Sequence, residues 1–335
     1  MRNIHLINNA CPDRGGAQKI LQNVIDARSE IFTCSNFSNL VPFFLQKIFW
    51  PLGILLLILI KRPDIVIIHS RCFLPMTIFF NFFGIKNIFY THAHYRKYNI
   101  LFKLFPCDYY ISVSNSVYKY LILNKVVAKK IFLLKNPILS SEIVVPRYLF
   151  SNEELNIAFI GSLEPWKGVL ELIDLLNLFV INNKVRVQLS IVGSGSLQDE
   201  IKKKLLSKVP LFCINLLGYS REPYRLISAS PIVIIPSFEE GFGLVAIESI
   251  FHSKSILYND IPALSEVCAE DDFSQAFDIT DYKSFEESLI RLNKNILSLA
   301  EESTQRKRRD YIHKNYGLKP FLEKYESIIS DILVR

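Results

Sequence analysis

The sequence lacks the features by which several classes of protein are recognised. Its cysteines are scattered along the chain without a Cys-x-x-Cys pair: Cys11, Cys34, Cys72, Cys107, Cys213 and Cys268. A metal-binding or disulfide framework requires clustered cysteines, so the sequence predicts reduced thiols in a cytosolic protein. No acidic pair occupies a position suited to a metal ion, because Asp271 and Asp272 are more simply explained as exposed helix caps. We therefore expect neither a bound metal nor another cofactor.

A long apolar run is also absent. The most apolar segment, IFWPLGILLLILI at residues 48–60, is shorter than the roughly 20 residues that span a bilayer, and Pro51 interrupts it. The first residues, RNIHLIN, predict a short strand and not the apolar core of a signal peptide. Two interpretations of segment 48–60 remain. We favour a buried helix packed on a sheet, but an interfacial helix on lipid would suit the flanking Lys47, Lys61 and Arg62.

Charge is neither scarce nor strongly one-sided. The chain of 335 residues has 39 Lys or Arg, 32 Asp or Glu and a formal net charge of +7. Nucleic acid, an anionic membrane surface or a phosphorylated substrate could each explain this basic balance. We interpret the densest basic cluster, QRKRRD at 305–310, as a solvated helix face. Because half of the residues are hydrophobic, length and composition predict two folded domains.

Short apolar strands alternate with helical patterns throughout the chain. The strand segments of the first half are NIHLIN, EIFTC, DIVIIH, NIFYTH and YYISVS, and those of the second half are LNIAFIG, VQLSIVG, INLLG, PIVIIPS and SILYN. Strands that alternate with helices form parallel sheets covered on both faces. A polar stretch without periodicity, residues 140–156, predicts the linker. The fold class is therefore α/β, with two doubly wound domains and a groove at the carboxyl ends of the strands.

The segment PSFEEGFGLVAIES, residues 236–249, places two carboxylates around a glycine-containing turn. A strand that ends in such a turn and opens a helix directs backbone N–H groups and positive potential towards a ligand, which suits an anion. Gly241 and Gly243 allow the backbone to approach that ligand closely. Glu240 and Glu248 would repel a phosphate unless they accept hydrogen bonds from hydroxyl groups, which a sugar supplies. The pattern indicates a sugar nucleotide, with its diphosphate on the turn amides.

This segment resembles the signature of the retaining glycosyltransferases of family 4, in which a Glu, seven residues and a second Glu include EGFGL. The resemblance covers most of the chain and implies the GT-B fold, with two Rossmann-like domains facing each other across a cleft. It implies that Glu240 contacts the donor hexose and acts in catalysis, and that Glu248 contacts the ribose hydroxyls. The turn residues expected at the donor are Gly241, Phe242, Gly243 and Leu244.

The segment GSLEPWKG, residues 161–168, resembles a stretch in which this family binds the pyrophosphate with an Arg and a Lys. Lys167 matches the Lys, and we expect it to act in catalysis. The Arg position holds Ser162, a departure that removes one charge from the donor site. Either Lys167 and the helix dipole suffice, or another cation such as Arg221 replaces the missing Arg. The alternative for Lys167 is a solvated lysine at a helix start.

Three further segments carry weaker resemblances. LLGYSREP suggests Gly218 and Tyr219 as contacts to the base of the donor. GGAQKIL follows the first strand and resembles the family's Gly-Gly loop, so Gly15 and Gly16 either approach the donor phosphate or form a turn only. We interpret the glycines of IVGSGSL as architectural.

Histidines follow two of the predicted strands in the first half. The family carries a His at a strand end close to the reacting sugar, and FYTHAH supplies two candidates. We expect His92, directly after the strand, to take this catalytic role, and His94 is the second choice. His69 occupies a similar position in IIHS, where a structural role is favoured.

The resemblance implies a retaining hexosyltransferase that moves a sugar from a nucleotide-diphosphate sugar to a lipid-linked saccharide during bacterial O-antigen or capsule assembly. Residues 1–145 would bind the acceptor and residues 151–317 the donor, with a terminal helix over 318–335 packing back on the first domain. The protein would be cytoplasmic, peripheral on the inner face of the plasma membrane and without nucleic-acid partners. A sugar-nucleotide epimerase of the same fold and an inactive sugar-nucleotide-binding scaffold remain alternatives.

Overall fold

The chain folds into two compact units. A computed structural model describes residues 3–7, 29–33, 43–95, 100–138, 143–144, 148, 154–206 and 209–334, with the backbone alone described for 29–33, 43–50 and 206. The first unit consists of residues 1–139 together with 318–335, and the second consists of residues 140–317. The predicted donor residues Gly15 and Gly16 lie outside the described residues.

The first unit is built on a six-stranded parallel sheet. Its strands are β1 (Asn3–Ile7), β2 (Ser29–Thr33), β3 (Ile65–Ile68), β4 (Lys86–Thr91), β5 (Tyr109–Ser112) and β6 (Lys130–Leu133). The spatial order is β2-β1-β3-β4-β5-β6, and every neighbouring pair is parallel. Chain direction across the sheet reverses between β1 and β3, so the carboxyl ends of these strands form the topological switch point of the unit.

Helices cover this sheet. Those described are α1 (Phe43–Lys61), α2 (Thr77–Phe82), α3 (Ile100–Leu104), α4 (Asn115–Leu123) and the terminal helix α12 (Leu318–Val334), with a 3₁₀ segment at Arg71–Met76. One face of the sheet packs on α1 to α4, because Ile4, Val66 and Phe89 share a core with Ile54 of α1 and Leu121 of α4. Alternate strand residues point to the opposite face.

The terminal helix α12 returns to the first unit. Nζ of Lys86, the first residue of β4, donates to the carbonyl of Ile332 at 2.6 Å. Lys130, the first residue of β6, pairs with Asp331 at 2.8 Å. These two contacts fix the end of the helix to the amino-terminal ends of two strands.

The second unit has another six-stranded parallel sheet. Its strands are β7 (Glu154–Ile160), β8 (Arg186–Val192), β9 (Phe212–Gly218), β10 (Ile232–Ile235), β11 (Ser255–Asn259) and β12 (Ser274–Phe277). The order is β12-β11-β10-β7-β8-β9, so the reversal lies between β7 and β10. The helices are α5 (Val169–Asn183), α6 (Gln198–Leu206), α7 (Pro223–Leu226), α8 (Leu244–Phe251), α9 (Pro262–Cys268), α10 (Tyr282–Lys294) and α11 (Glu302–Tyr316), with 3₁₀ segments at Pro165–Lys167 and Ile296–Ala300.

The predicted α/β class with two doubly wound parallel sheets is confirmed. Every strand predicted from the sequence is present, with its bounds shifted by at most two residues. The strands β6 and β12 were not predicted. Both lie at an edge of their sheet, and both are short: KIFL and SQAF.

Helix α1 is only partly buried, so the favoured interpretation of segment 48–60 as a buried helix is wrong for one of its faces. Ile54 and Ile58 are 0% and 3% exposed, whereas Leu52, Leu56 and Ile60 are 52%, 51% and 73% exposed. Apolar side chains therefore occupy both the packed and the solvent face. Among the described residues, no helix is long and apolar enough to cross a membrane, as expected for this segment.

The basic cluster at 305–310 lies on α11 but is not a uniformly solvated face. Arg308 is 5% exposed, and its Nε and Nη2 donate to the two carboxylate oxygens of Asp271 at 2.8 and 2.9 Å. The expectation of an exposed cap is therefore wrong for Asp271. The planar guanidinium satisfies both oxygens at once, which makes the burial of this charge pair tolerable.

Candidate functional site

The strand order brings two loops together at the switch point of the second unit. Strands β7 and β10 are hydrogen-bonded neighbours, although the chain passes through β8 and β9 between them. Residues 161–168 form the loop after β7, and residues 236–243 form the loop after β10. Both loops leave the carboxyl edge of the sheet, where doubly wound folds bind their ligands.

Lys167 and Glu240, one from each loop, form an ion pair. Nζ of Lys167 lies 2.5 Å from Oε1 of Glu240, and the hydroxyl of Ser237 donates to the same oxygen at 2.9 Å. The side chains of Lys167 and Glu240 are 19% and 14% exposed, so water screens their attraction less than at an open surface. Two residues identified by separate sequence motifs therefore meet at one place. A cation beside a carboxylate can bind an anionic group and a hydroxyl group next to each other.

Gly168 permits the close approach of the two loops. Its φ is +67°, and a Cβ atom at this position would lie 2.2 Å from the carbonyl oxygen of Pro236. Beside it, the amide of Phe238 donates to the carbonyl of Trp166 at 2.9 Å. Both the backbone conformation and the missing space require glycine. The Lys167 loop ends in Gly168 because it must lie directly against the Glu240 loop.

Helix α8 begins immediately after the Glu240 loop. Gly243 precedes it with a φ of +95°, and the amides of Leu244 and Val245 open the helix without intrahelical acceptors. These amides and the helix dipole create positive potential suited to an anion. Phe242, in the same turn, is 3% exposed and packs edge-on against Tyr316 with ring centroids 5.8 Å apart. The side chain of Phe242, one of the predicted donor residues, is therefore not available to a ligand, and only its backbone could contact one.

Glu248 lies on α8 beside Tyr224. The hydroxyl of Tyr224 donates to the carbonyl of Val245 at 3.1 Å and is hydrogen-bonded to the hydroxyl of Ser249 at 3.1 Å. Burial first, and then the charge of Glu248, raise the pKa of Tyr224 well above its ordinary value. The carboxylate of Glu248 is thus close to a phenol that is itself fixed by two hydrogen bonds.

The glycines after β8 hold the neighbouring loop in place. A Cβ atom on Gly193 would lie 1.8 Å from the carbonyl oxygen of Gly161, and one on Gly195 would lie 2.4 Å from that of Leu163. The amide of Leu163 in turn donates to the carbonyl of Ser194 at 3.0 Å. These contacts agree with the architectural role predicted for Gly193 and Gly195.

The other predicted donor residues lie at the same edge of the sheet. Gly218 ends β9 with a φ of +73°, and Tyr219 is 46% exposed. Ser162, after β7, and Arg221, after β9, are both exposed. Arg221 follows a strand that is two positions from β7 in the sheet, so it does not share the Lys167 loop.

In the first unit, His92 follows β4 and is linked to two other histidines. Its Nε2 lies 2.9 Å from Nδ1 of His69, whose Nε2 lies 3.0 Å from Nδ1 of His5. We name these three residues the histidine row. Burial lowers the pKa of His5 and of His92 from 6.5 to about 4. Burial, followed by the charges of His92 and His5, lowers the pKa of His69 well below 6.5, so all three rings are neutral at pH 7.

His94, the second choice for the catalytic histidine, lies outside this row. Its Nε2 is 3.1 Å from the hydroxyl of Ser116, and its ring lies beside that of Tyr120. It therefore contacts α4 rather than the other histidines.

Sequence reasoning missed His5 and favoured only a structural role for His69. The available signal was a histidine inside an otherwise apolar strand, NIHLI. His5 pairs in register with Ile67, and His69 is two residues beyond Ile67, so both side chains lie on one face of the sheet. The proximity of His5 and His69 can be recognised only when the pairing of β1 with β3 is known.

A charge asymmetry was also missed. Residues 43–138 contain thirteen Lys or Arg against two Asp, which gives this stretch a formal net charge of +11 compared with +7 for the whole chain. The basic balance of the molecule is therefore concentrated in the first unit. Counting charge by segment, instead of searching for dense clusters, would have shown it.

Comparison with known families decides the identity of the second unit. A sequence model of the family described as glycosyl transferases group 1 matches residues 142–313, slightly more than half of the chain. The chain belongs to this family. The matched range coincides with the second unit and contains Lys167, Glu240 and Glu248. The ion pair and helix α8 thus lie in the part of this group 1 glycosyl transferase that defines the family.

Curated relatives of this group 1 glycosyl transferase match it in part. It is 24% identical over 210 residues to the poly(ribitol-phosphate) alpha-N-acetylglucosaminyltransferase of Staphylococcus aureus strain COL, over 62% of this chain and 41% of that protein. It is 28% identical over 116 residues to O-antigen chain mannosyltransferase B of Escherichia coli, over 33% of this chain and 30% of that protein. The chain thus spans less than half the length of these relatives.

The fold is that of solved glycosyltransferases. The crystal structure of Anabaena HepE in complex with UDP and glucose matches with a TM-score of 0.75 at 15% identity, over 98% of this chain and 99% of that chain. Such a likeness shows the fold, and the predicted GT-B class of two Rossmann-like parallel-sheet domains is confirmed.

Within the described residues, no three His, Cys, Asp or Glu side chains cluster in a way that could hold a metal ion. The described cysteines, Cys72, Cys107, Cys213 and Cys268, form no disulfide bond with one another. Cys11 and Cys34 lie outside the described residues.

Proposed function

We propose that this group 1 glycosyl transferase is a retaining hexosyltransferase of family 4, which moves a hexose from a nucleotide-diphosphate sugar to a lipid-linked saccharide. The observation that carries the proposal is the Lys167–Glu240 pair beside the start of α8. Such a donor presents a diphosphate, which requires positive potential, next to a hexose, whose hydroxyls require an acceptor. The loops at 161–168 and 236–243 supply both groups side by side.

In the transfer step, the bond between the anomeric carbon and the diphosphate oxygen breaks, and negative charge develops on the leaving diphosphate. Lys167 and the amides of Gly243 and Leu244 stabilise this charge. Glu240 accepts a hydrogen bond from a hexose hydroxyl, which holds the anomeric carbon in place. The acceptor hydroxyl attacks from the face that the diphosphate leaves, and the diphosphate takes its proton. The configuration of the anomeric carbon is then retained.

The ion pair between Lys167 and Glu240 has to open when a donor binds at these two side chains. Glu240 is the ion-pair partner of Lys167. When a donor binds, its diphosphate replaces the carboxylate of Glu240 as the partner of Nζ of Lys167. This exchange frees Glu240 to accept from the hexose. Binding of the diphosphate to Lys167 and binding of the hexose to Glu240 therefore both depend on the opening of this ion pair.

The nucleoside end of the donor is assigned to the neighbouring strand ends. Glu248 binds the ribose hydroxyls, and Gly218 and Tyr219 contact the base. His92 of the first unit is the hydrogen-bond partner of a hydroxyl on the donor hexose. Because Anabaena HepE was crystallised with UDP and glucose, UDP-glucose is the first donor to test. The names of the relatives, which act in ribitol-phosphate polymer and O-antigen synthesis, support a bacterial surface polysaccharide as the product.

The test is a transfer assay preceded by thermal-shift selection of a donor from UDP-, GDP- and dTDP-sugars. NMR of the product should show the anomeric configuration of the donor, and Glu240→Gln should lose the transfer. An inverted product would overturn the retaining mechanism. Isomerisation of the donor without an acceptor identifies an epimerase. Donor binding without transfer to any acceptor identifies an inactive scaffold, the alternative that the exposed Ser162 in place of Arg favours.

The acceptor is assigned to the first unit, and that unit to the inner face of the plasma membrane. Its helices α1 and α2 expose large apolar side chains: Leu52, Leu56, Ile60, Ile78, Phe79 and Phe82. The surrounding stretch, residues 43–138, carries the net charge of +11. Apolar side chains partition into a lipid interface, and each basic group near an anionic surface adds about 1 kcal/mol. Together these features support a peripheral, lipid-facing position.

Vesicle sedimentation tests the membrane assignment. The double variant Ile60→Ser and Phe82→Ser should bind anionic vesicles at low salt at least about tenfold more weakly than the wild type, because it removes two apolar side chains from the interface. Leu297→Ser is a matched control, since Leu297 is 66% exposed but lies in the second unit. Equal binding of both variants, or no binding of the wild type at low salt, contradicts the assignment.

The proposed transfer needs no metal, because Lys167 and the helix amides supply the charge that stabilises the leaving diphosphate. Activity should therefore persist in EDTA. Loss of transfer on chelation, with recovery on adding Mn²⁺ or Mg²⁺, contradicts this part of the proposal.

A further inference from the structure

The histidine row crosses three neighbouring strands of the first sheet and ends at the carboxyl edge of that sheet. His5 lies in β1, His69 directly follows β3, and His92 directly follows β4. Strands β1, β3 and β4 are neighbours, and the switch point lies between the first two. The row therefore runs from the interior of β1, next to the switch point, to the histidine that is assigned to the donor.

Packing holds the three rings in fixed orientations. His5 and His69 are 4% and 6% exposed. Tyr90, one pleat from His92 on β4, stacks on His92 with ring centroids 4.6 Å apart and an interplanar angle of 12°. Tyr90 also stacks on His69 at 5.2 Å. Because the rings are stacked and enclosed, the two N···N distances of the row are not accidental surface contacts.

Three neutral imidazoles that are hydrogen-bonded in such a row allow only two arrangements of their N–H groups. Each ring has one N–H, and each of the two N···N contacts needs one donor and one acceptor. All protons must therefore point along the row in the same direction. Either Nδ1 of His92 carries a proton and Nε2 of His5 is bare, or Nε2 of His5 carries a proton and Nδ1 of His92 is bare.

The terminal atoms of the row decide between these arrangements. Neither Nε2 of His5 nor Nδ1 of His92 has a hydrogen-bond partner among the described residues, and both atoms are buried. An orphaned buried N–H is the rarer and costlier defect. In the first arrangement the orphaned N–H is on His92, a partly exposed residue directly beyond the end of β4, so we infer that a ligand pairs with it there. In the second it is on His5, within the sheet.

We propose that His5 and His69 are positioning residues for His92, which they hold as the Nδ1–H tautomer so that this nitrogen donates to an oxygen of the donor sugar. The inference rests on the proposed function through the role of His92. It adds a direction to that role, since His92 donates and does not accept. The row replaces the carboxylate that commonly orients a functional histidine.

Selective ¹⁵N labelling of histidine tests the tautomer in the free protein, without reference to transfer. The spectrum of the wild type should show His92 protonated at Nδ1 and bare at Nε2. Protonation at Nε2 instead would overturn the inference. This result would leave the transfer assay unaffected, so the failure of the inference and that of the proposed function are distinguishable.

Variants of His69 test the consequence for the reaction. His69→Phe keeps a ring in the stack but breaks both contacts, so His92 should become a mixture of tautomers. We expect kcat to fall about 10-fold to 100-fold, as for a misplaced reacting group, with little change in KM for the acceptor. His69→Gln can accept from His5 and donate to His92, as the wild-type ring does, and should recover part of the activity.

Tyr90→Phe is the matched control. It keeps the aromatic stack on His69 and His92 and removes a hydroxyl that has no partner among the described residues, so kcat should stay at the wild-type value. Thermal melts of all variants separate loss of fold from loss of positioning. An unchanged kcat in folded His69→Phe, or equal losses in His69→Phe and Tyr90→Phe, would overturn the inference.

Discussion

At the scale of single residues, the two glutamates of the proposed donor site differ in their neighbours. Oε1 of Glu240 accepts from both Lys167 and Ser237, whereas Glu248 lies beside the fixed phenol of Tyr224. Glu240→Gln removes the charge that pairs with Lys167 and leaves Lys167 available to a diphosphate. We expect transfer to fall more than about tenfold, a barrier increase of about 1.4 kcal/mol or more, while the free nucleoside diphosphate binds at least as tightly as before.

Glu248→Gln should behave differently, because it removes the proposed partner of the ribose. It should weaken the binding of the free nucleoside diphosphate and of the nucleotide sugar by a similar factor. Isothermal titration of both ligands against both variants separates the two roles. If the two variants weaken the free nucleotide equally, the assignment of hexose to Glu240 and ribose to Glu248 is wrong.

The sequence predicts residues that belong to a local motif, such as Lys167 and Glu240, better than residues that meet only in the folded sheet, such as those of the histidine row. Lys167 and Glu240 were predicted because the segments that contain them resemble family motifs, and these motifs include Gly168 and Gly243, whose backbone conformations glycine adopts most readily. A loop of that kind leaves a local signature. The histidine row leaves none, since His5 and His69 meet through the pairing of β1 with β3, 64 residues apart in the chain. Contacts of this type follow from strand order, which periodicity does not give.

At the scale of elements, the proposed donor site depends on the close approach of two loops. Gly168→Ala places a methyl group against the carbonyl of Pro236, so the Glu240 loop must move. We expect a lower melting temperature and at least about tenfold weaker donor binding, by analogy with other misplaced binding groups. Gly84→Ala is the matched control: Gly84 has nearly the same φ, +69°, but open space around it. It should share the backbone strain, of about 1–2 kcal/mol, and keep donor binding.

Loss of donor binding in both glycine variants, or in neither, would show that loop contact at Gly168 does not set the site. Thermal melting and titration with the nucleoside diphosphate provide the two readouts. Because Gly84 lies in the first unit, its strain should not reach the Glu240 loop.

The cluster QRKRRD gives a second comparison within one helix, α11. Arg308→Leu leaves the carboxylate of Asp271, whose side chain is 5% exposed, without its ion-pair partner. Removing one partner of a buried pair typically costs about 3–5 kcal/mol of unfolding free energy. Arg306→Leu is the control, because its side chain is 81% exposed and 3.9 Å from Asp310, and such pairs contribute about 1 kcal/mol or less. Urea denaturation should separate the two, and equal losses would contradict the role of burial.

The elements missed from the sequence share a physical cause. Strands β6 and β12 are the last strands at one edge of each sheet, and each buries only part of its four residues. A central parallel strand such as β10, IVII, is buried throughout and reads as a continuous apolar run. An edge strand needs no such run, so SQAF resembles a loop until its partner β11 is known. The burial of Arg308 likewise depends on a distant partner, Asp271, so the sequence of α11 alone does not distinguish Arg308 from the exposed Arg306.

At the scale of the whole molecule, both units bury histidines that stay neutral. Burial lowers the pKa of His5, His92 and, in the second unit, His252 from 6.5 to about 4. As the pH falls from about 6.5 towards 4, the unfolded chain binds protons that the folded chain does not, so the free energy of unfolding decreases. Each group accounts for up to about 3 kcal/mol by the lower pH. The melting temperature should therefore fall steeply as the pH decreases below about 6.

Thermal melts across this pH range measure the slope, and His252→Gln should make it shallower by removing one titrating group. A melting temperature that rises on acidification, or a slope unchanged in His252→Gln, would show that these histidines do not govern acid stability. Tyr224 stacks on His252 at 4.2 Å, so the variant's melting temperature at pH 8 serves as its own reference.

The return of α12 to the first unit has a consequence for biosynthesis. Residues 140–317 emerge from the ribosome before the helix does, so the second unit has its complete sequence while the first still lacks α12. Domains usually fold in the order of their synthesis, beginning with the amino-terminal one. Here the first unit is completed only after the second has been synthesised, when Ile332 and Asp331 reach Lys86 and Lys130. A nascent chain that stalls before residue 318 therefore contains the whole second unit but a first unit without α12. We expect chaperones and proteases to act on the first unit of such a chain.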